Sequence, residues 1–95
     1  MRSLRHFDLN LLLVFEMLMR ERHVTRAAEK LHLSQPALSH SLKRLRDALD
    51  DPLLVRTEQG LQPTPRAMAL LPVVQQALTS LQAGLAPPAT FAPAT

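Results

Sequence analysis

The chain has 95 residues, enough for one small domain plus an appendage. It contains no cysteine, tryptophan or tyrosine, which excludes disulfides, thiolate metal sites and a cysteine nucleophile and calls for a core of Leu, Val and Ala. The net charge is +3, and all eleven Lys/Arg and all eight Asp/Glu lie within residues 1–66. This division suggests a charged module for a polyanionic partner, followed by a neutral segment that meets protein.

The opening MRSLRHFDLN has no uncharged stretch ending in a small-residue cleavage site, so no signal peptide is expected. The apolar run Leu9–Met19 is interrupted by Asn10 and Glu16 and is too short to span a bilayer. A soluble, cytoplasmic chain without membrane association is expected, and the lack of cysteine fits a reducing compartment. Arg2 and Arg5 form either a mobile basic arm or a merely solvated terminus.

Asp8 is a suitable N-cap for a helix over Leu9–Arg22. That helix is apolar on most sides, so it is central to a small core or offers a second face to a partner. A second helix opens at Val24 and Thr25, with Thr25 as the expected cap and Ala27, Ala28 and Leu31 facing inward. The turn is His32-Leu33-Ser34, with Leu33 expected to plug the core beneath it.

The third helix starts at Ser34 or Gln35, where Pro36 is tolerated in the first turn. Leu38, Leu42, Leu45 and Leu49 recur at spacings of four, three and four, which is one helical face. Ser39, His40, Lys43 and Arg46 fall on or near the other, and Asp50-Asp51-Pro52 stops the helix. Leu53–Thr57 and Leu61–Pro63, joined by Glu58-Gln59-Gly60, read as two short strands and a tip.

Thr64-Pro65 opens a last helix with a hydroxyl cap and a proline at its first position. Ala67, Leu71, Val74, Leu78, Leu81 and Leu85 then recur at heptad spacing, an expected dimerisation seam without flanking charges. Pro72 is expected to bend or weaken it. The expected layout is a domain over 1–64, a linker helix over 65–86, and a Pro/Ala-rich tail over 87–95.

Three helices, a tight turn and a small β-hairpin make a mainly α, winged helix-turn-helix. The start of the third helix then presents Gln35, Pro36, Ser39 and His40 to base edges. Glutamine pairs bidentately with adenine, serine bonds any base edge, and proline touches a thymine methyl. Lys43 and Arg44 suit phosphates, as does Arg56 at the wing base and the hydroxyl of Thr25. The plainer alternatives are a simple helix start at 34–36, a solvated face at Lys43 and Arg44, an Arg56 bridge to Asp50 or Asp51, and capping alone at Thr25. Enzyme chemistry has no candidate: there are only two glycines, no phosphate-cradling loop, and four histidines without metal-site spacing. Neither a metal nor a cofactor is implied. A competing class is a helical protein-interaction module with a merely solvated basic face.

The stretch Ala27-Ala28, Leu31, Leu33-Ser34-Gln35-Pro36-Ala37, Leu38-Ser39, Leu42, Leu45 and Leu49 resembles the N-terminal domain of bacterial LysR-type transcriptional regulators. Leu53, Arg56, Gly60 and PTPRA at Pro63–Ala67 extend the resemblance, which covers roughly residues 6–85. Departures from the family pattern are Arg46 for a common glutamate, Asp50 for glycine, Leu54 for phenylalanine, and PTPRA itself; they resemble a subgroup related to nodulation regulators. The resemblance implies transcription regulation by a homodimer on an interrupted palindrome of double-stranded promoter DNA. The linker helices would pair antiparallel, with a tetramer open to the full-length protein. It also implies that Thr64 joins Thr25, Lys43 and Arg56 on the DNA backbone, and that an effector domain absent here would carry any inducer response.

Overall fold

The computed structural model describes residues 4–88. After one turn of 3-10 helix at Leu4–His6 come α1 (Asn10–Glu21), α2 (Val24–Lys30), α3 (Gln35–Leu49), β1 (Leu54–Thr57), β2 (Gly60–Pro63) and α4 (Pro65–Leu85). The architecture is mainly helical, four helices with a two-stranded antiparallel wing. Among the described residues no helix is long and apolar enough to cross a membrane. Arg2 and the tail beyond residue 88 lie outside the described residues.

Helix α1 is the hub and packs against α2, α3 and α4. Leu11, Val14, Phe15, Leu18 and Met19 are buried, while Leu9 and Leu13 stay exposed on a second apolar face. The cap is not where Asp8 alone suggested it. Leu9 occupies the N-cap position with helical backbone angles, and the Asp8 carboxylate reaches forward to accept from the Asn10 N–H at 3.0 Å.

The cap of α2 is His23, not Thr25. Its ring Nδ1 accepts from the Arg26 N–H at 3.1 Å, while its backbone is extended. Ala27 and Ala28 are fully packed, so α2 approaches its neighbours closely. Leu33 does not plug the core; it is 38% exposed. His32 takes a left-handed conformation with φ 58°, its N–H donates to the Glu29 carbonyl, and the Leu33 N–H donates to the Ala28 carbonyl. Those crossed bonds make a Schellman end for α2, so Leu33 is placed by its backbone. Leu31 contributes the packing instead, half-buried against the core.

Ser34 caps α3 through its hydroxyl, which accepts from the Ala37 N–H at 3.1 Å, with Pro36 in the first turn. Leu38, Leu42, Leu45 and Leu49 are all buried. Each such side chain contributes roughly 1.5–3 kcal/mol by leaving water. The helix ends at Asp50, which is left-handed with φ 51°, a conformation glycine adopts without a Cβ penalty.

The wing begins one residue later than the apolar run Leu53–Thr57 suggests. Leu53 has φ 65°, which is rare for a large side chain and costs on the order of 1–3 kcal/mol. It is completely buried, and the Leu54 N–H turns back to the Pro52 carbonyl at 2.7 Å. Leu54 pairs with Pro63 and Arg56 with Leu61. At the tip the turn is Glu58-Gln59, and Gly60 supplies the positive φ of 97° from within β2.

Thr64 caps α4 by accepting from the Ala67 N–H at 3.1 Å, with Pro65 at the helix start. The helix continues through Pro72 to Leu85. The Arg66 guanidinium donates to the Leu49 carbonyl at 2.8 Å and ties the start of α4 to the end of α3.

Candidate nucleic-acid interface

Gln35, Pro36, Ser39 and His40 all stand exposed on α3, opposite or beside its buried leucines. At 100° per residue they form two stripes. Gln35 and Ser39 lie along the edge nearer the wing. Pro36, His40 and Lys43 lie along the outermost line.

Ser39 lines an open groove of about 400 Å³ together with Val24 of α2, Arg46, and Val55 and Arg56 of β1. Two elements far apart in sequence thus face one another: the α3 stripe on one wall and the wing on the other. Arg56 is exposed and has no acidic partner among the described residues, so the bridge to Asp50 or Asp51 does not form. Asp51 is engaged elsewhere, accepting from the Leu53 N–H at 2.8 Å and from the Thr64 hydroxyl at 2.7 Å. The Thr64 hydroxyl comes first in holding the Asp51 carboxyl below its ordinary value of 3.8, followed by the Leu53 N–H and the nearby charge of Arg66.

The remaining cations divide. Lys43 reaches Asp47 at 3.3 Å, but both side chains are largely in water, so the pair is weak and exchangeable. Arg44 instead leans to the other edge of α3, where it donates to the Asp8 carboxylate at 3.1 Å. The Asn10 N–H first, and then Arg44, hold the Asp8 carboxyl below its ordinary range. Arg44 therefore does not share a wall with Ser39. Thr64 is also drawn away from solvent, since its oxygen both caps α4 and bonds Asp51. Thr25 is exposed in the first turn of α2, and its hydroxyl has no hydrogen-bond partner among the described residues.

Spacing alone did not single out Arg46. The leucine spacing placed it only on or near the face opposite the leucines. In the structure it is half-buried, its Nε donating to the Pro52 carbonyl at 2.8 Å and its Nη2 to the Leu54 carbonyl at 2.7 Å. No periodicity signals such a contact, because its partners are backbone atoms of the next element.

The seam of α4 divides along its length. Ala67 and Val74 are sealed in the chain's own core, and Leu71 and Leu78 pack partly against it. Leu81 and Leu85 remain open, 51% and 81% exposed. They line a groove of about 780 Å³ with Leu9 and Leu13 of α1. Met68, earlier on the same helix, is half in solvent.

Comparisons with known proteins fit this geometry. Residues 9–68 match the model of the bacterial regulatory helix-turn-helix protein, lysR family. The transcriptional activator NagR of a Ralstonia species is 52% identical over 91 residues, covering 96% of this chain and 30% of that protein. Nodulation protein D of Rhizobium leguminosarum bv. trifolii is 48% identical, over 79% of this chain and 24% of that protein. The chain thus spans about 30% or less of the length of these relatives. Among solved structures, a probable transcriptional regulator, PA0477 from Pseudomonas aeruginosa, superimposes with a TM-score of 0.85 at 49% identity, covering 95% of this chain and 30% of that one. The BenM DNA-binding domain in complex with catB site 1 DNA superimposes at 0.77 with 26% identity, over 83% and 89% of the two chains. With its helix-turn-helix, wing and following helix matched throughout, the chain belongs to the lysR family of bacterial regulatory helix-turn-helix proteins.

Proposed function

We propose that the chain binds double-stranded promoter DNA sequence-specifically. In this reading α3 lies in the major groove and the wing on the adjoining backbone. Gln35, Pro36, Ser39 and His40 meet base edges. Lys43, Arg56 and Thr25 meet phosphates and set the register. The observation that carries this reading is the shared groove between Ser39 and the un-neutralised Arg56. It sets a base-reading side chain beside a phosphate-reading one. The complex formed by the BenM domain with DNA supports it.

The chain acts as a homodimer in bacterial cytoplasm. The exposed end of α4 and the exposed leucines at the start of α1 support this assembly, because Leu9, Leu13, Leu81 and Leu85 line one groove, to which α1 adds the Glu16–Arg20 ion pair and α4 no charge. The buried half of the seam holds α4 to its own domain and the open half meets the second copy. Domain 1–64, linker helix 65–86 and a following effector region complete the reading.

Titration of labelled duplexes at rising salt tests it. Affinity should fall steeply and linearly in log–log form, by about 0.9 per phosphate contacted. A salt-independent affinity would reject DNA as the ligand.

A further inference from the structure

We propose that Arg46 is a positioning residue, one that locks the wing at a fixed angle to α3 and so brings Arg56 to a DNA phosphate. This rests on the DNA-binding reading above.

The joint between α3 and the wing is Leu53, held left-handed at φ 65° with its side chain fully buried. A conformation this unfavourable persists only where its surroundings over-determine it. Here they do so from several sides. The Leu53 N–H donates to Asp51, and the Leu53 carbonyl accepts from the Thr64 N–H at 2.9 Å. Arg46 spans the joint, one guanidinium arm on the Pro52 carbonyl before Leu53 and the other on the Leu54 carbonyl after it.

The Leu54 carbonyl needs this partner. The hairpin has only two strands, and Leu53 already spends its carbonyl on the β2 side. Carbonyls alternate sides along a strand, so that of Leu54 faces outward, where a third strand would lie. Arg46 occupies that place. Arginine alone offers a rigid planar fork that can hold two separated carbonyls at once; a lysine ammonium is a single point donor. Leu54 lies two positions before Arg56 on the same strand, so Arg46 governs the direction in which Arg56 leaves the groove they share.

Arg46→Lys separates the clamp from the charge. The assay uses the 95-residue chain, a fluorescein-labelled duplex recovered from a random pool by the wild-type chain, and a random-sequence duplex of equal length. In wild type, Arg56→Ala should weaken binding to both duplexes and lower the salt slope by about one. Arg46→Lys, folded by circular dichroism and with no charge removed, should lower the slope by the same amount. Adding Arg56→Ala to it should then cost less than about twofold, the non-additivity expected of one coupled unit. An unchanged slope in Arg46→Lys, with the full Arg56→Ala penalty retained, overturns the clamp while leaving DNA binding intact. Absence of any Arg56→Ala penalty in wild type strikes the phosphate reading itself, and the clamp with it. If Arg46→Lys is unfolded, Arg46→Gln serves through the double variant alone, since it removes a charge: adding Arg56→Ala to it should cost less than about twofold, and the full Arg56→Ala penalty overturns the clamp; loss of folding in both variants overturns positioning in favour of a purely structural role.

Discussion

The Thr64 hydroxyl donates to Asp51 at 2.7 Å while accepting from the Ala67 N–H at 3.1 Å. One oxygen therefore caps α4 and fastens the end of the wing to the loop that precedes it. Asp51 spends its other interaction on Leu53, the strained joint of that loop.

This bond gives a pH dependence with a definite sign. The Asp51 and Asp8 carboxyls are both held below 3.8, so the folded state favours their charged forms. Their stabilisation is complete above the unfolded value and is lost as pH falls below it through the lower folded values. The melting temperature should be flat near neutrality and drop below about pH 4. Asp51→Asn, followed by thermal melts across that range, should flatten the drop. An unaltered acid profile would show that this carboxylate is not linked to folding.

Ser39→Ala and Gln35→Ala should each reduce discrimination against the wrong base by ~1–3 kcal/mol while sparing binding to random duplex. Competition between selected and random duplexes measures this. Equal losses on both would assign these side chains to the backbone or to no contact at all.

Lys43 and Arg44 are neighbours in sequence but should behave differently. Lys43→Ala frees only an exposed pair and should lower the salt slope by about one. Arg44→Ala breaks the link from α3 to Asp8, just ahead of α1, and should cost little stability, because that pair is partly exposed, without changing the slope. A reduced slope in Arg44→Ala would mean that it abandons Asp8 for phosphate.

Leu81→Asp should dissociate the dimer without harming the domain, since Leu81 is 51% exposed. Leu78→Asp is less selective because Leu78 also packs against the chain's own core. Light scattering together with circular dichroism separates the two outcomes. An intact Leu81→Asp dimer would move the interface away from the end of α4.

The sequence was most informative where one residue type has one local use. Ser34 before Gln35-Pro36 and Thr64 before Pro65 marked their helices correctly, and the α3 leucines marked the buried face. It misled where an uncommon residue took a common role: His23 caps α2 although Thr25 is the more usual type. Leu33 and Leu53 read as ordinary apolar residues, a plug and a strand start. What fixes them is backbone conformation, left-handed at Leu53 and at His32 just before Leu33. Heptad spacing identified the inner face of α4 but not its occupant, which changes from the chain's own core to open groove along the helix. Arg46 was beyond reach because its partners are carbonyls of another element.

The helix ends carry one more consequence. Arg22, His32 and Asp50 are all left-handed, and they sit at or just beyond the ends of α1, α2 and α3. Connections between helices are usually where a chain best absorbs inserted residues. Here the link from α1 to α2 is only Arg22 and His23, with no slack. One extra residue there would shift the start of α2 against α1 and unseat the packed Ala27 and Ala28. Because α3 packs against α2 as well as α1, the stripe of Gln35 and Ser39 would be misplaced with it while every leucine remained in the sequence. Natural variation in length should therefore be scarce at these joints and more common at the Glu58-Gln59 tip, which holds nothing but its own hairpin.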